Sequence, residues 1–181
     1  MSGAADEKLW FAMSAPYQNE LRVQKILDRD SIESFIPMAY KVVVRHGKKR
    51  RAWLPAVSNL VFVHTTRAII QETKKYIPFL QYLTRLDGGR NVPIIVPDVQ
   101  MNQFITVCRS NEEKLVYLTG DELNRLGKGR RVRILGGTFD GVEGTFVRVK
   151  GCRNKRVVVQ VQGLVAVVLA EVLPDLIEVI D

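Results

Sequence analysis

The chain has 181 residues, 46% of them hydrophobic, and 27 Lys and Arg against 19 Asp and Glu give a net charge of +8. That length accommodates one large domain or two small ones, and that apolar share supports packed cores, which excludes a disordered or fibrous chain. The cationic surplus fits a polyanionic partner, nucleic acid or an anionic surface, without identifying one.

The surplus is uneven. Residues 1–45 are neutral overall, 46–90 carry +7, 91–120 carry −1 and 121–181 carry +2. One middle segment holds nearly all of it. The two cysteines, Cys108 and Cys152, lie far apart without CxxC spacing, which is no disulfide framework and suits a reducing compartment. The first eight residues are polar and acidic, unlike a secretory signal, and no apolar run approaches the ~20 residues a bilayer requires. The expectation is a soluble, cytoplasmic monomer with no membrane partner.

In chain order, residues 9–15 form an apolar, aromatic run that predicts a buried strand. Asn19 is placed to cap a helix through about Arg29, with Val23, Ile26 and Leu27 on one face. Residues 34–45, a basic stretch at 46–51 and residues 52–54 predict a hairpin with a cationic tip. Residues 57–64 predict a strongly apolar strand and 68–76 a short helix stopped near Pro78. Residues 79–86 and 92–96 predict strands around the turn Asp87-Gly88-Gly89. Asp98 is placed to cap a helix through about Asn111, burying Met101, Phe104, Ile105 and Cys108. This half predicts an α+β sandwich.

Residues 1–112 are therefore expected as one domain and 113–124 as a polar linker. Residues 125–181 read as all β. Val132 and Ile134 alternate with Arg131 and Arg133, and Gly136-Gly137 and Asp140-Gly141 signal turns. Further strands are expected at 145–149, 156–162, 164–169 and 177–180. Five short strands in so short a span predict a small barrel with a thin core.

Residues 129–144 (GRRVRILGGTFDGVEG) resemble the KOW motif, carried by Gly129, Val132, Ile134, Gly137, Phe139, Gly141 and Gly144. Its glycines permit positive φ and close backbone approach. The first half resembles the NusG N-terminal domain: Trp10-Phe11 in an opening aromatic strand, Glu20 at the start of the first helix, and the run from Pro55 to Val63. Together the halves resemble NusG-family transcription factors over nearly the whole chain. The likeness is closest to specialised paralogues of the RfaH and UpxY type. At the family's Phe-Pro-Gly-Tyr positions this chain instead has Val57, Ser58, Asn59 and Leu60.

The resemblance implies a transcription elongation or antitermination factor, and its specialised paralogues suggest one specific to an operon of surface-polysaccharide genes. It implies docking on the clamp helices of the largest RNA polymerase subunit through an apolar concavity at Val57, Ser58, Leu60 and Phe62. It also implies a KOW module that recruits a ribosomal protein or Rho. The cations Arg45, Lys48, Lys49, Arg50 and Arg51 suit contact with upstream or non-template DNA. Arg22, with Tyr17 and Asn19 nearby, falls where RfaH-type proteins approach non-template DNA. The alternatives are a solvated loop and an ordinary exposed helix start. The runner-up function is a ribosome- or RNA-associated KOW protein that binds rRNA through its basic face. Phe139 and Phe146 read as packing residues, whereas Arg153, Lys155 and Arg156 suit RNA.

Catalysis has no support in the residues. His46 and His64 lack metal-ligand spacing, and the glycine-rich stretch lacks the Lys-Ser/Thr of a phosphate loop. No catalytic residue, metal or cofactor is expected.

Overall fold

A computed structural model describes residues 7–110, 115–169 and 172–180. The chain divides into two compact units, Met1–Asp98 and Val99–Asp181.

The first unit is built on one antiparallel sheet. β1 (Leu9–Ser14) pairs along its whole length with β5 (Leu60–Thr65), from Leu9 opposite Thr65 to Ser14 opposite Leu60. β2 (Glu33–Phe35) lies on the far side of β5, and β6 (Gln81–Tyr82) and β9 (Ile95–Val96) pair with β1. Side chains alternate across the sheet, so register assigns the faces. Phe11, Met13, Val61 and Val63 share one face. They pack with Val23 and Leu27 of α1 (Glu20–Arg29) and Ile70 of α2 (Arg67–Tyr76) in one buried cluster. The opposite face carries Trp10, Ala12, Phe35, Leu60, Phe62 and Val96, all buried. Trp10 and His64, paired across the strands, stack with ring centroids 4.6 Å apart.

The stretch 34–45, expected as one strand, is two. β2 ends at Phe35, and β3 (Met38–Arg45) begins after Ile36-Pro37 and leaves the sheet. Pro37 has no N–H for a ladder, which favours a break there. Among the described residues β3 pairs only with β4 (Lys48–Pro55), forming a separate two-stranded ribbon. The strand expected at 57–64 starts at Leu60, because Asn59 takes a left-handed φ of 65°. The stretch 79–86 also divides: β7 (Thr84–Asp87) and β8 (Arg90–Pro93) form a second ribbon.

Asn19 stands at the N-cap of α1 without capping it through its side chain. Its Nδ2 donates backward to the Pro16 carbonyl at 2.7 Å. That bond closes a turn in which Tyr17 and Gln18 both take positive φ.

The second unit opens with α3 (Asp98–Cys108), a helix that the sequence reading grouped with the first domain. Asp98 is its first residue rather than its cap. It buries Met101, Phe104 and Val107, whereas Ile105 and Cys108 are only half-buried. The Gln100 side-chain oxygen accepts from the backbone N–H and side-chain amide of Gln162, at 3.2 and 3.0 Å.

Six strands follow in one antiparallel sheet, ordered β10-β14-β13-β12-β11-β15. They are β10 (Val116–Thr119), β11 (Arg130–Ile134), β12 (Glu143–Arg148), β13 (Lys155–Val161), β14 (Val165–Val168) and β15 (Ile177–Val179). The sheet has six strands where a five-stranded barrel was expected, and among the described residues no ladder joins β10 to β15 to close it. The extra strand comes from the segment expected as a linker, which holds β10 and α4 (Gly120–Asn124). The signal was local. Thr119 and Glu122 form a reciprocal capping box, and Leu118, Leu123 and Leu126 pack with Val147, Val158, Ala166 and Val168. Residues 113 and 114 of that segment lie outside the described residues.

The glycine pattern explains the tight strand spacing. A Cβ at Gly144 would lie 2.8 Å from both the Val158 carbonyl oxygen and Val157 Cγ1. Gly137 and Gly141 take φ of +71° and +79° in the turn between β11 and β12. Gly144→Ala is expected to destabilise the chain by about 1–3 kcal/mol through overpacking. Gly127→Ala, where a Cβ meets nothing within 4 Å, should be near neutral. Urea denaturation followed by circular dichroism checks the difference.

Candidate nucleic-acid and polymerase interface

Three sets of predicted residues fall in different surroundings. The first is the apolar set on β5. Leu60 is 3% exposed and Phe62 0%, Val57 is half-buried, and Ser58 is exposed. The expected open hollow at Leu60 and Phe62 is therefore not present in this structure. The reason is legible in Leu60-Val61-Phe62-Val63, where apolar residues run continuously instead of alternating. A continuous run marks a strand covered on both faces.

Glu20 fixes the turn that carries Val57 and Ser58. Its carboxylate is buried and accepts from the Asn59 N–H at 2.5 Å, joining the start of α1 to the start of β5. A negative group in the first helical turn is also favoured by the helix dipole.

The second set enters α1. Tyr17 is 89% exposed, held outward by the left-handed turn that Asn19 closes. Arg22 is exposed, with its guanidinium 5.6 Å from the Phe79 ring centroid.

The third set is the basic group, and here the structure revises its form. Only His46 and Gly47 make the turn, with φ of 51° and 74°. Arg45 and Lys48 close it as the last pair of the ladder. This is the two-residue hairpin that needs positive φ at both central positions. Lys48, Lys49, Arg50 and Arg51 are thus strand residues, not loop residues. Lys49 and Arg51 share a face with Val44 and Val42, their partners in register, and Lys48 and Arg50 face the other way. Residues 38–55 hold six Lys and Arg and no Asp or Glu.

Sequence reading missed what accompanies these cations. Tyr40 and Trp53 face each other in register, with ring centroids 4.7 Å apart. Both are about half exposed, and Val42 and Val44 are more so. Arg51 lies over the Tyr40 ring at 4.0 Å. The period-two spacing of Tyr40, Val42 and Val44 signals one face. What could not be read was that, among the described residues, none covers this face enough to bury it.

The cations of the second unit are partly neutralised. Glu143 binds Arg133 at 2.7 Å and Arg131 at 3.4 Å, and Glu178 approaches Arg133 at 3.5 Å. Phe146 and Phe139 are half-buried, and Lys155 sits 5.9 Å from the Phe146 ring centroid.

Among the described residues no cluster of His, Cys, Asp and Glu could hold a metal. No described helix is long and apolar enough to cross a membrane. Burial pushes the Cys108 thiol up to about 12.

The model of a family described as transcription termination factor nusG matches residues 8–105. A solved structure concerning domain interaction in Thermotoga maritima NusG is similar at 19% identity. It covers 99% of this chain and 100% of its own, with a TM-score of 0.48. No curated protein matches the chain.

Two outcomes follow from this geometry. Phe62→Ala should cost about 3–5 kcal/mol in chemical denaturation, as a fully buried aromatic does. Cys108 should resist alkylation by iodoacetamide at pH 8 in the native chain and react on unfolding, because its thiol stays protonated far above that pH.

Proposed function

This chain belongs to the NusG family, whose model spans more than half of it, and from that membership we propose that it binds elongating RNA polymerase and suppresses pausing or termination. It acts by binding, without a chemical step of its own. The observation that carries the reading is the family match, joined by the six cations of the β3–β4 ribbon, a stretch within the matched region that holds no Asp or Glu.

In this reading the first unit docks on the clamp helices of the largest polymerase subunit. Val57 and Ser58 are the reachable residues of the proposed contact. Leu60 and Phe62 can join it only in a form in which their side of β5 is uncovered. Arg45, Lys48, Lys49, Arg50 and Arg51 then lie against upstream or non-template DNA, through phosphate contacts that fix position rather than sequence. Tyr17, Asn19 and Arg22 form a second contact with non-template DNA. The second unit carries the KOW-like glycine turn and recruits a further partner, a ribosomal protein or Rho, at raised effective concentration. Action on a specialised operon of the RfaH or UpxY kind rests on the resemblance alone.

Capture of purified core polymerase by the full chain tests the reading. Val57→Glu should weaken capture at least ten-fold while far-UV circular dichroism stays unchanged, since Val57 is not in the core. An apolar contact should also survive 0.5 M salt, whereas a phosphate-driven one falls steeply. Absence of capture, with tight salt-sensitive binding to rRNA instead, would replace this reading with the ribosomal one.

A further inference from the structure

The β3–β4 ribbon is more than a charged projection. One of its faces combines Tyr40 and Trp53, in contact and about half exposed, with Val42, Val44, Lys49 and Arg51. Such a surface is costly to leave in water without a use. Exposed aromatics, a guanidinium stacked on one of them and a cationic rim are the components of a base-stacking platform. We propose that this face binds unpaired nucleotides, with bases stacking on Trp53 and Tyr40 and phosphates paired to Lys49 and Arg51. The proposal rests on the reading of the ribbon as a nucleic-acid contact and deepens it by assigning single strands rather than duplex.

Three observations select this occupant. The ribbon lacks any Asp or Glu, so its field favours a polyanion over an ordinary protein surface. Its exposed rings need a π-face to cover them, and paired bases in a duplex offer only their edges and the backbone. The ribbon also lacks Asn and Gln, the usual bidentate partners of adenine edges, so nothing marks it as a groove reader. Same-face side chains recur about every 6.8 Å along a strand, so Tyr40, Val42 and Val44 span about 14 Å, room for a short run of nucleotides.

The ring geometry supplies an internal probe. The chain has two tryptophans, Trp10 at 3% exposure and Trp53 at 51%. Only Trp53 is open to an added base.

The test uses the full chain, a 12-nucleotide single strand, a 12-base-pair duplex and anionic phospholipid vesicles, at several salt concentrations. The single strand should quench the Trp53 emission and bind more tightly than the duplex. Trp53→Ala should weaken single-strand binding about 5- to 100-fold and leave duplex binding and the salt slope unchanged. Trp53→Phe should retain most of the affinity, which a merely structural loss would not allow. Lys49→Ala should weaken binding of both nucleic acids and flatten the single-strand salt slope by about 0.7 for the lost phosphate contact. If the lysine variant weakens binding but Trp53→Ala does not, the ribbon touches nucleic acid and the stacking platform is refuted. If neither changes binding, the underlying reading of the ribbon fails as well. Preference for vesicles over both nucleic acids would overturn the proposal in favour of a membrane surface.

Discussion

The pairing of β1 with β5 is the constraint from which the first unit follows. Six rungs, from Leu9–Thr65 to Ser14–Leu60, fix which side chains share a face. One side commits Phe11, Met13, Val61 and Val63 to the layer with α1 and α2. The other commits Ala12, Leu60 and Phe62, and all of these are buried. A sheet filled on both sides has no room for cations. The chain therefore places its densest positive stretch on strands that leave the sheet at Pro37 and rejoin it near Asn59. The core and the cationic ribbon are two results of one partition: continuous apolar runs kept in the ladder, charge expelled from it.

The junctions that carry this partition are polar and local. Asn19 holds the turn before α1 by donating to Pro16, and Glu20 receives the Asn59 N–H where β5 begins. A buried carboxylate requires such a partner, since an unpaired one would be costly. These two bonds set where Tyr17 projects and where the turn bearing Val57 and Ser58 lies. In the second unit, glycine does comparable work at Gly144, where β12 passes β13 too closely for a side chain.

Much of this was legible in the residues. The strand at 9–15, the helices through Arg29 and at 68–76, and the alternation of Val132 and Ile134 all match the structure closely, because each rests on a strong period. Boundaries set by single residues were less legible: Pro37 divided a predicted strand, and Asn59 shortened another. The segment at 113–124 read as linker because its average is polar, yet Leu118, Leu123 and Leu126 are enough to attach β10 and α4 to the sheet. For the candidate site, the cations were found and their setting was not. Their assignment to a loop followed from counting charges, whereas the turn is only His46-Gly47, and the aromatic pair opposite is revealed by register. The apolar patch was pictured open, although the unbroken run Leu60–Val63 already favoured burial on both sides.

The central claim is that this chain acts on elongating polymerase. A purified transcription reaction on a template with one defined pause and one terminator tests it most directly. Added at saturation, the chain should shorten the pause and raise the fraction of full-length transcript. Identical pausing and termination with and without it would contradict the account.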